Sequence, residues 1–225
     1  MIDQNARPKF TSDKYEFTNQ WFIGSVYGLK KGPVVDVPTI WTSIFSQRKI
    51  KNVLEIGSYE GQSTCFLIEF LGGETGSQIS CIDTWEGSFE HSEKDFSEIE
   101  RRFDQNTEIA LNDAPNEVIF RKIKNTSTSA LAKLILEKST FDLIYIDGSH
   151  HSMDVLSDLV MASHLLSENG LIIGDDYLWE PDFNHAGNPN ITPKPAIDAF
   201  CNIFYEKFRV MTNVPTYQCF IEKIK

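Results

Sequence analysis

The sequence predicts an α/β fold: a mostly parallel sheet with helices on both faces. Short apolar runs alternate with helical patterns from residue 52 to residue 174, the order that parallel strands joined by crossover helices require. Most of these runs end in a glycine or an acidic residue. Ligands of such sheets bind beyond the carboxyl ends of the strands, so we expect the functional residues at that edge.

The first 50 residues precede this alternating pattern. Aromatic side chains are scattered among polar residues and glycines over residues 1–36, without clear periodicity. The stretch from Pro38 to Arg48 is predicted as a helix, because proline is tolerated in a first turn and the apolar residues share one face. We expect residues 1–50 to form a helical and aromatic segment that packs on the core. Whether this segment also covers a ligand stays open.

A glycine turn and a helix follow the first predicted strand of the alternating region. The strand Asn52 to Ile56 leads into Gly57 and Gly61, and apolar i,i+4 pairs mark the helix beyond. A dinucleotide fingerprint would need glycine where Tyr59 stands, and a phosphate loop would need a lysine after the second glycine. What remains is the pattern E-x-G-x-x-x-G-x-S, whose glycines let a ligand approach the backbone.

The second predicted strand, Gln78 to Ile82, ends at Asp83, which lies 22 residues beyond Gly61. An acid at this place can accept hydrogen bonds from both ribose hydroxyls of a nucleotide. Strand termination is the alternative, although asparagine or serine would serve a turn equally well. The charged stretch that follows is predicted to contain a solvated helix, Glu98 to Leu111.

Three more strands complete the alternating region, and two strands close the chain. The three are Glu117 to Lys122, Asp142 to Ile146 and Gly170 to Gly174. After a predicted loop over residues 180–194, a helix starts at Pro195, and the closing strands, joined through Pro215, are Phe208 to Thr212 and Tyr217 to Ile224. The residues expected to meet at the carboxyl edge are Gly57, Asp83, Asn125, Asp147 and Asp175.

Length and composition fit one globular domain of ordinary type. The chain has 225 residues, of which 41% are hydrophobic and 24% charged. Its net charge of −11 argues against nucleic acid as a partner, because a phosphate backbone calls for clustered Lys and Arg. Four scattered cysteines without a C-x-x-C pair favour reduced thiols. There is no signal-peptide core and no apolar run near ~18 residues, so we expect a cytoplasmic protein with no membrane partner.

Four segments, in this order, resemble the class I S-adenosylmethionine (SAM) methyltransferases. They are VLEIGSYEGQS, ISCIDTWEGS, FDLIYIDGSHH and LLSENGLIIGDDYLW. The IDGSH and GDDY blocks are most similar to the group known as methyltransferase family 24. The resemblance implies a Rossmann-like class I methyltransferase fold, with a seven-stranded, mostly parallel sheet and an antiparallel last strand. It also implies that residues 51–225 form a single SAM-binding methyltransferase domain.

The same resemblance assigns cofactor contacts to residues of the predicted edge. Around the turn, the methionine end of SAM would be lined by Glu55, Gly57, Ser58, Gly61 and Ser63. Asp83 would hold the ribose, with Thr84 and Trp85 beside it. The adenine would lie near Asn125, Thr126 and Ser127, and Asp147 would also contact the cofactor. Trp85 has two readings, stacking on adenine or simple burial in the core, and the sequence does not choose between them.

Acidic residues end two neighbouring predicted strands. Asp147, Asp175 and Asp176 would repel one another unless a cation or a proton lies between them, and such oxygen ligands suit Mg²⁺ or another divalent cation. Catechol-type O-methyltransferases look similar here, but they have Asn where this chain has Asp176, which leaves the metal open. They carry a base lysine where His150 stands. We predict Asp147 and His150 as catalytic residues; a structural role for His150 is the equal alternative.

These features predict a SAM-dependent methyltransferase, with O-methylation of a small hydroxylated molecule, such as a sugar or natural-product intermediate, as the expected reaction. Metal assistance is left open, and the sequence is compatible with a homo-oligomer. The N/D-P-P-Y/F motif of amino-methylating enzymes is absent after the fourth strand, where IDGSHH stands. Two alternatives remain: a sugar-modifying hydroxylase with a metal at the same edge, and a non-catalytic SAM-binding module.

Overall fold

The computed structural model describes residues 10–24, 26–27, 35–87, 95–180, 188–214 and 217–225. Within these ranges, a short antiparallel pair precedes a seven-stranded sheet. The pair is β1 (Val26–Tyr27) and β2 (Val35–Asp36). The strands of the main sheet are β3 (Asn52–Ile56), β4 (Ser77–Asp83), β5 (Val118–Lys124), β6 (Phe141–Ile146), β7 (Leu166–Gly174), β8 (Phe208–Val210) and β9 (Cys219–Lys223).

The sheet runs in the order β5-β4-β3-β6-β7-β9-β8. Strands β3 to β7 are parallel to one another, whereas β9 is antiparallel to both β7 and β8. The predicted α/β fold, with a mostly parallel seven-stranded sheet and an antiparallel last strand, is therefore confirmed. Because β3 lies between β4 and β6, the chain changes direction across the sheet at β3, which is where ligands of such sheets bind.

Helices cover both faces of the sheet. The helices are α1 (Trp21–Gly24), α2 (Val37–Phe45), α3 (Gln62–Leu71), α4 (Phe96–Asp113), α5 (Ser127–Leu136), α6 (Ser152–Ser163) and α7 (Lys194–Ile203). Apolar residues of α2, α3 and α4 form one buried cluster with one side of the sheet, and those of α5, α6 and α7 form a second cluster with the other side. Because β6 is buried on both faces, Leu143 belongs to the first cluster and Ile144 to the second.

Residues before α2 contribute to the first cluster. Phe10, Tyr15 and Phe22 are buried, and the ring of Phe22 lies 5.6 Å from that of Phe66 on α3. Phe22 also meets Trp41 of α2 edge to face, with ring centroids 5.0 Å apart. The aromatic residues of the N-terminal region thus pack on the sheet through α2 and α3.

Some element boundaries differ from the predicted ones. The fifth parallel strand begins at Leu166, four residues before the predicted Gly170, and its pairing with β6 shifts register near Phe141. The closing strands are shorter than predicted. The helix α1 and the β1–β2 pair were not predicted. Within the predicted loop 180–194, residues 181–187 lie outside the described residues, as does Pro215. A short 3₁₀ helix, Pro189–Ile191, lies in the described part of that loop.

In the part of the chain that the structure describes, no helix is long and apolar enough to cross a membrane.

Candidate active site

Three residues of the tight turn after β3 have left-handed backbone. Gly57, Tyr59 and Gly61 have φ of +84°, +49° and +86°. A Cβ on Gly57 would lie 2.0 Å from the backbone oxygen of Asp147, so no other residue fits where β3 and β6 end side by side. Gly61 is the N-cap of α3. The glycines of the motif thus serve close packing of two strand ends and the entry into a helix.

Glu55 supports this turn from beneath. Its side chain is fully buried, and its carboxylate accepts hydrogen bonds from the hydroxyls of Ser58, Ser63 and Thr64. Burial raises the pKa of Glu55, and the three hydroxyl donors oppose that rise. The family resemblance assigns Glu55 and Ser63 to the cofactor, and in the structure the Ser63 hydroxyl donates to the Glu55 carboxylate at 2.6 Å. Glu55 thus also connects the end of β3 with the first turn of α3.

Asp83, at the end of β4, holds the turn from the side. Its Oδ2 accepts from the backbone N–H groups of Ser58 and Tyr59, each at 2.9 Å, and its Oδ1 accepts from Trp85 N at 2.8 Å. The side chain remains partly exposed. A carboxylate has about four acceptor positions, so Asp83 can accept one further donor from a ligand.

Trp85 is buried in the core. The indole is 3% exposed, packs against Phe103 with ring centroids 4.7 Å apart, and donates from Nε1 to the backbone oxygen of Tyr59 at 3.0 Å. The Lys122 ammonium lies 4.5 Å from its ring centroid. Of the two interpretations of Trp85, the structure favours burial in the core. Thr84, its neighbour, accepts from Glu86 N through Oγ1.

The loop after β5 is built as a helix start. Asn125 N donates to the backbone oxygen of Asp83 at 3.0 Å, which joins this loop to the end of β4. Thr126 is the N-cap of α5 and accepts from Ser129 N. Asn125 and Thr126 are exposed, and Ser127 is half-buried. The three residues expected near adenine therefore lie at the same edge as Asp83.

Across the edge, three side chains from the ends of β6 and β7 converge. Ligand atoms of Asp147, His150 and Asp176 all lie within 4.8 Å of one another, and His150 Nε2 is 2.6 Å from Asp176 Oδ2. Asp176 has a left-handed backbone, with φ of +54°. Trp179, on the same turn, stacks on the imidazole at a centroid distance of 4.2 Å. One turn thus holds His150 from two sides.

Asp175 does not join this group. It is buried, and its Oδ2 accepts from the hydroxyl of Tyr145 and from Gln218 Nε2 at 2.9 Å, while its Oδ1 accepts from Asp176 N at 2.7 Å. The structure therefore differs from the expectation that Asp175 lies with Asp147 and Asp176. The chain leaves β7 through Asp175 and the left-handed Asp176; the Asp176 carboxylate meets His150, while that of Asp175 is bonded to Tyr145 and Gln218.

The Tyr145 hydroxyl connects Asp175 with Asp147. It lies 3.0 Å from Asp147 Oδ2 while it also contacts Asp175. Burial and the neighbouring carboxylates of Asp175 and Asp176 raise the pKa of Asp147 well above its ordinary value. Burial and the Asp176 carboxylate raise the pKa of Asp175 to about 7. Three carboxylates this close favour a cation or a retained proton.

The sequence analysis did not identify Tyr145, Gln218 or Trp179 as residues of the site. A signal for Tyr145 existed, because residues two apart on a strand share a face and Tyr145 stands two before Asp147. Gln218 gave no signal, because the chain brings it to Asp175 only through the antiparallel pairing of β9 with β7.

Comparison with known proteins agrees with this architecture. Residues 54–177 match the family model described as a methyltransferase domain, family 24. An O-methyltransferase, ankF, from Aspergillus thermomutatus is 26% identical over 131 residues, which are 58% of this chain and 47% of that protein. The chain thus spans about half the length of that relative.

Two solved structures have the same fold. An O-methyltransferase from Bacillus cereus in complex with SAH superposes with a TM-score of 0.54 at 22% identity, over 78% of this chain and 74% of that one. The O-methyltransferase TomG from Streptomyces achromogenes superposes with a TM-score of 0.57 at 14% identity, over 81% and 77%. The family match covers more than half of the chain, and its ends coincide with β3 and the turn after β7. The chain belongs to methyltransferase family 24, within the class I SAM-dependent methyltransferases.

Proposed function

We propose that this protein transfers a methyl group from SAM to a hydroxyl of a small acceptor, such as a sugar or a natural-product intermediate. One observation carries the proposal. The turn held by Asp83 and the group of Asp147, His150 and Asp176 lie at the same edge of one sheet, at the ends of adjacent strands. A cofactor at the turn would therefore present its reactive atom beside groups that can handle a proton.

The residues at the turn fit SAM. Asp83 is partly exposed and keeps an acceptor position that suits a ribose hydroxyl. Asn125 and Thr126, at the next loop, are exposed toward solvent at the same edge. In this proposal residues 51–225 bind the cofactor as one domain, and residues 1–50 pack on it.

Bound SAM supplies the electrophile, a methyl group on a positively charged sulfur. The protein must then align the acceptor and remove its proton. Asp147, whose pKa is raised by burial and by neighbouring carboxylates, is suited to accept a proton from a hydroxyl. His150 is the second candidate, because an imidazole changes its charge near neutral pH and this one is held against Asp176.

The same group also fits a divalent cation. Two carboxylates and an imidazole offer ligand atoms within 4.8 Å of one another, a donor set that divalent metals accept. Asp147, His150 and Asp176 would hold the ion, with Asp175 set behind them. A cation there would lower the pKa of an acceptor hydroxyl, and we include this assistance in the proposal.

Isothermal titration of the purified protein with SAM and with S-adenosylhomocysteine tests the cofactor assignment. We expect saturable, one-site binding of both. NAD and ATP are the matched controls, since the turn lacks a glycine at Tyr59 and a phosphate-loop lysine, and we expect no binding of either. A protein that binds neither SAM nor S-adenosylhomocysteine would contradict the proposed function.

Transfer activity distinguishes an enzyme from a SAM-binding module. We expect Asp147→Ala to lose transfer to hydroxylated acceptors by about 100-fold or more, as for loss of a general base. Because Asp147 is also predicted to contact SAM, transfer is compared at saturating SAM, and the SAM affinity of the variant is measured separately. If Asp147→Ala transfers methyl groups at the unchanged rate, the acid at the end of β6 has no part in the chemistry.

A further inference from the structure

The outer side of the cofactor turn is held by a buried acid that the proposed chemistry does not use. Glu60 is fully buried, although it stands in a loop at the edge of the sheet. Its Oε1 accepts from Arg102 Nε of α4 at 2.7 Å and from the Thr18 hydroxyl at 2.8 Å. Its Oε2 accepts from Thr18 N at 2.7 Å. Both oxygens of this buried carboxylate are therefore paired, and one of the partners is a charged arginine.

The backbone oxygen of Glu60 is bonded to α4 as well, through a residue that also bonds the N-terminal region. Asn106 of α4 donates from Nδ2 to the backbone oxygens of Glu60 and Glu16, at 2.9 and 3.0 Å. Glu16 N donates back to Asn106 Oδ1 at 2.8 Å. Glu60 is therefore hydrogen-bonded both to α4 and to the N-terminal region.

Two residues further on, Gln62 makes further hydrogen bonds to the N-terminal region. Its Nε2 donates to the backbone and side-chain oxygens of Asn19, at 2.7 and 2.8 Å, and its Oε1 accepts from Phe22 N at 3.3 Å. The segment from residue 16 to residue 22 thus runs along the turn and is bonded to the residues on both sides of Gly61.

The turn needs such external support because its own backbone is strained. Tyr59 carries a side chain yet adopts a left-handed φ of +49°, between two glycines that do the same. Conformations of this kind persist only where surrounding contacts determine them. From one side, Asp83 holds Ser58 N and Tyr59 N. Trp85 Nε1 bonds the backbone oxygen of Tyr59, and the next residue, Glu60, is anchored to Arg102 and Thr18.

We propose that Glu60 is a positioning residue of the cofactor turn, and that residues 16–22 act through it on cofactor binding. This inference rests on the proposed function, because the ligand it concerns is SAM. Glu60 does not face the ligand edge; it acts by fixing the backbone that presents Ser58 and Tyr59 to Asp83. In this proposal the N-terminal region affects cofactor binding, in addition to packing on the core.

Two variants and a matched control test the proposal. Glu60→Gln weakens the pairing with Arg102, and Thr18→Val removes one hydroxyl donor without touching the turn. The control, Tyr15→Phe, loses the 2.6 Å hydrogen bond from the Tyr15 hydroxyl to Glu69, which joins the residue just before this segment to α3, away from the turn. All three are compared by SAM titration, by thermal unfolding and by amide hydrogen exchange.

We expect Glu60→Gln to weaken SAM binding about 10-fold or more, as for loss of a charge-assisted hydrogen bond, and Thr18→Val by a smaller factor. Tyr15→Phe should bind SAM as tightly as the unchanged protein, even if its melting temperature falls as much as that of Glu60→Gln. If Glu60→Gln unfolds, Thr18→Val decides. The proposal is overturned if both variants bind SAM within about twofold of the unchanged protein.

Hydrogen exchange separates this inference from the proposed function. The amides of Ser58 and Tyr59 are bonded to Asp83, and we expect them to exchange about 10-fold faster in Glu60→Gln and Thr18→Val but not in Tyr15→Phe. This measurement needs no ligand. If the unchanged protein fails to bind SAM, the proposed function fails. The exchange rates still test whether Glu60 positions the turn. Equal exchange in all variants would show that Glu60 does not position the turn.

Discussion

At the residue scale, Asp158 shows how much depends on the partners of a buried acid. It lies on α6 and is 2% exposed, and its Oδ1 has no hydrogen-bond partner among the described residues. Glu55, equally buried, has three hydroxyl donors. Asp158 receives one hydrogen bond from Ser127, and burial raises its pKa to about 6. Ionising Asp158 in the folded protein therefore costs free energy.

This cost predicts a pH-dependent stability. The pKa of Asp158 is about 6 in the folded protein, against about 3.9 for an unfolded chain, so the folded state binds the proton more tightly. Stability is therefore lost as the pH rises from about 4 to about 6, by roughly 3 kcal/mol. Asp158→Asn cannot ionise, and its stability relative to the unchanged protein should rise by that amount between pH 4 and pH 8.

Urea unfolding at a series of pH values measures the difference. Glu117→Gln, at an exposed acid just before β5, removes one charge without the burial and serves as the control; Asp154 is unsuitable because its charge helps raise the pKa of Asp158. Parallel stability curves for Asp158→Asn and the unchanged protein would show that Asp158 does not titrate in this range.

At the element scale, hydrogen bonds connect α2 with the ends of three strands. Trp41 Nε1 donates to Gln218 Oε1 at 2.8 Å, and Gln218 Nε2 donates in turn to Asp175, which follows β7. Tyr145 of β6 continues it to Asp147. All of these side chains lie on the same face of the sheet as α2, because strand residues alternate in direction. A helix from the first 50 residues thus reaches the candidate active site through buried side chains.

Trp41→Phe tests the first connection. The ring is retained, but Gln218 Oε1 loses its donor inside the core, and an unpaired buried acceptor costs about 1–3 kcal/mol. We expect the free energy of unfolding, measured by urea denaturation, to fall by at least that amount. Trp21→Phe, at a partly exposed indole, is the control and should cost less. Equal losses for the two variants would mean that the Gln218 hydrogen bond adds nothing.

At the scale of the whole molecule, the N-terminal residues complete the core on one side of the sheet. Phe10, Phe22, Trp41 and Phe45 are buried in the same cluster as residues of α3, α4 and the sheet. Fully burying a large apolar side chain contributes about 1.5–3 kcal/mol, so the four together contribute about 6–12 kcal/mol, which is comparable with the usual net stability of a domain. The boundary near residue 50 is still a prediction, and the packing suggests how to test it.

The fragment 51–225 should fail to unfold cooperatively, because it leaves this face of the sheet uncovered. The fragment 35–225, which keeps α2 and its Trp41 and Phe45, is the control and should retain a cooperative transition at a lower midpoint. Circular dichroism melting and binding of an apolar dye compare the two. A cooperative melt of 51–225 at the midpoint of the full chain would show that residues 1–50 are not needed for the core.

The sequence was sufficient for the fold and for the edge at which the site lies. Strands that alternate with helices must run parallel, and parallel strands bring their carboxyl ends together. Gly57, Asp83 and Asp147 could therefore be placed together without any coordinates. The tyrosine at position 59 excluded a dinucleotide fingerprint, and the missing lysine excluded a phosphate loop, from the sequence alone.

Only the tertiary structure decided which way each side chain turns. Glu55 and Asp175 are acids at the predicted edge, yet both are bonded inward, because hydroxyl and amide donors from other elements satisfy them there. His150 takes the place expected for Asp175 beside Asp147 and Asp176. Such partners come from residues 3 to 43 positions away, as with Ser58 for Glu55 and Gln218 for Asp175. Local patterns fix the position of a residue in a strand, whereas packing across elements fixes its hydrogen bonds.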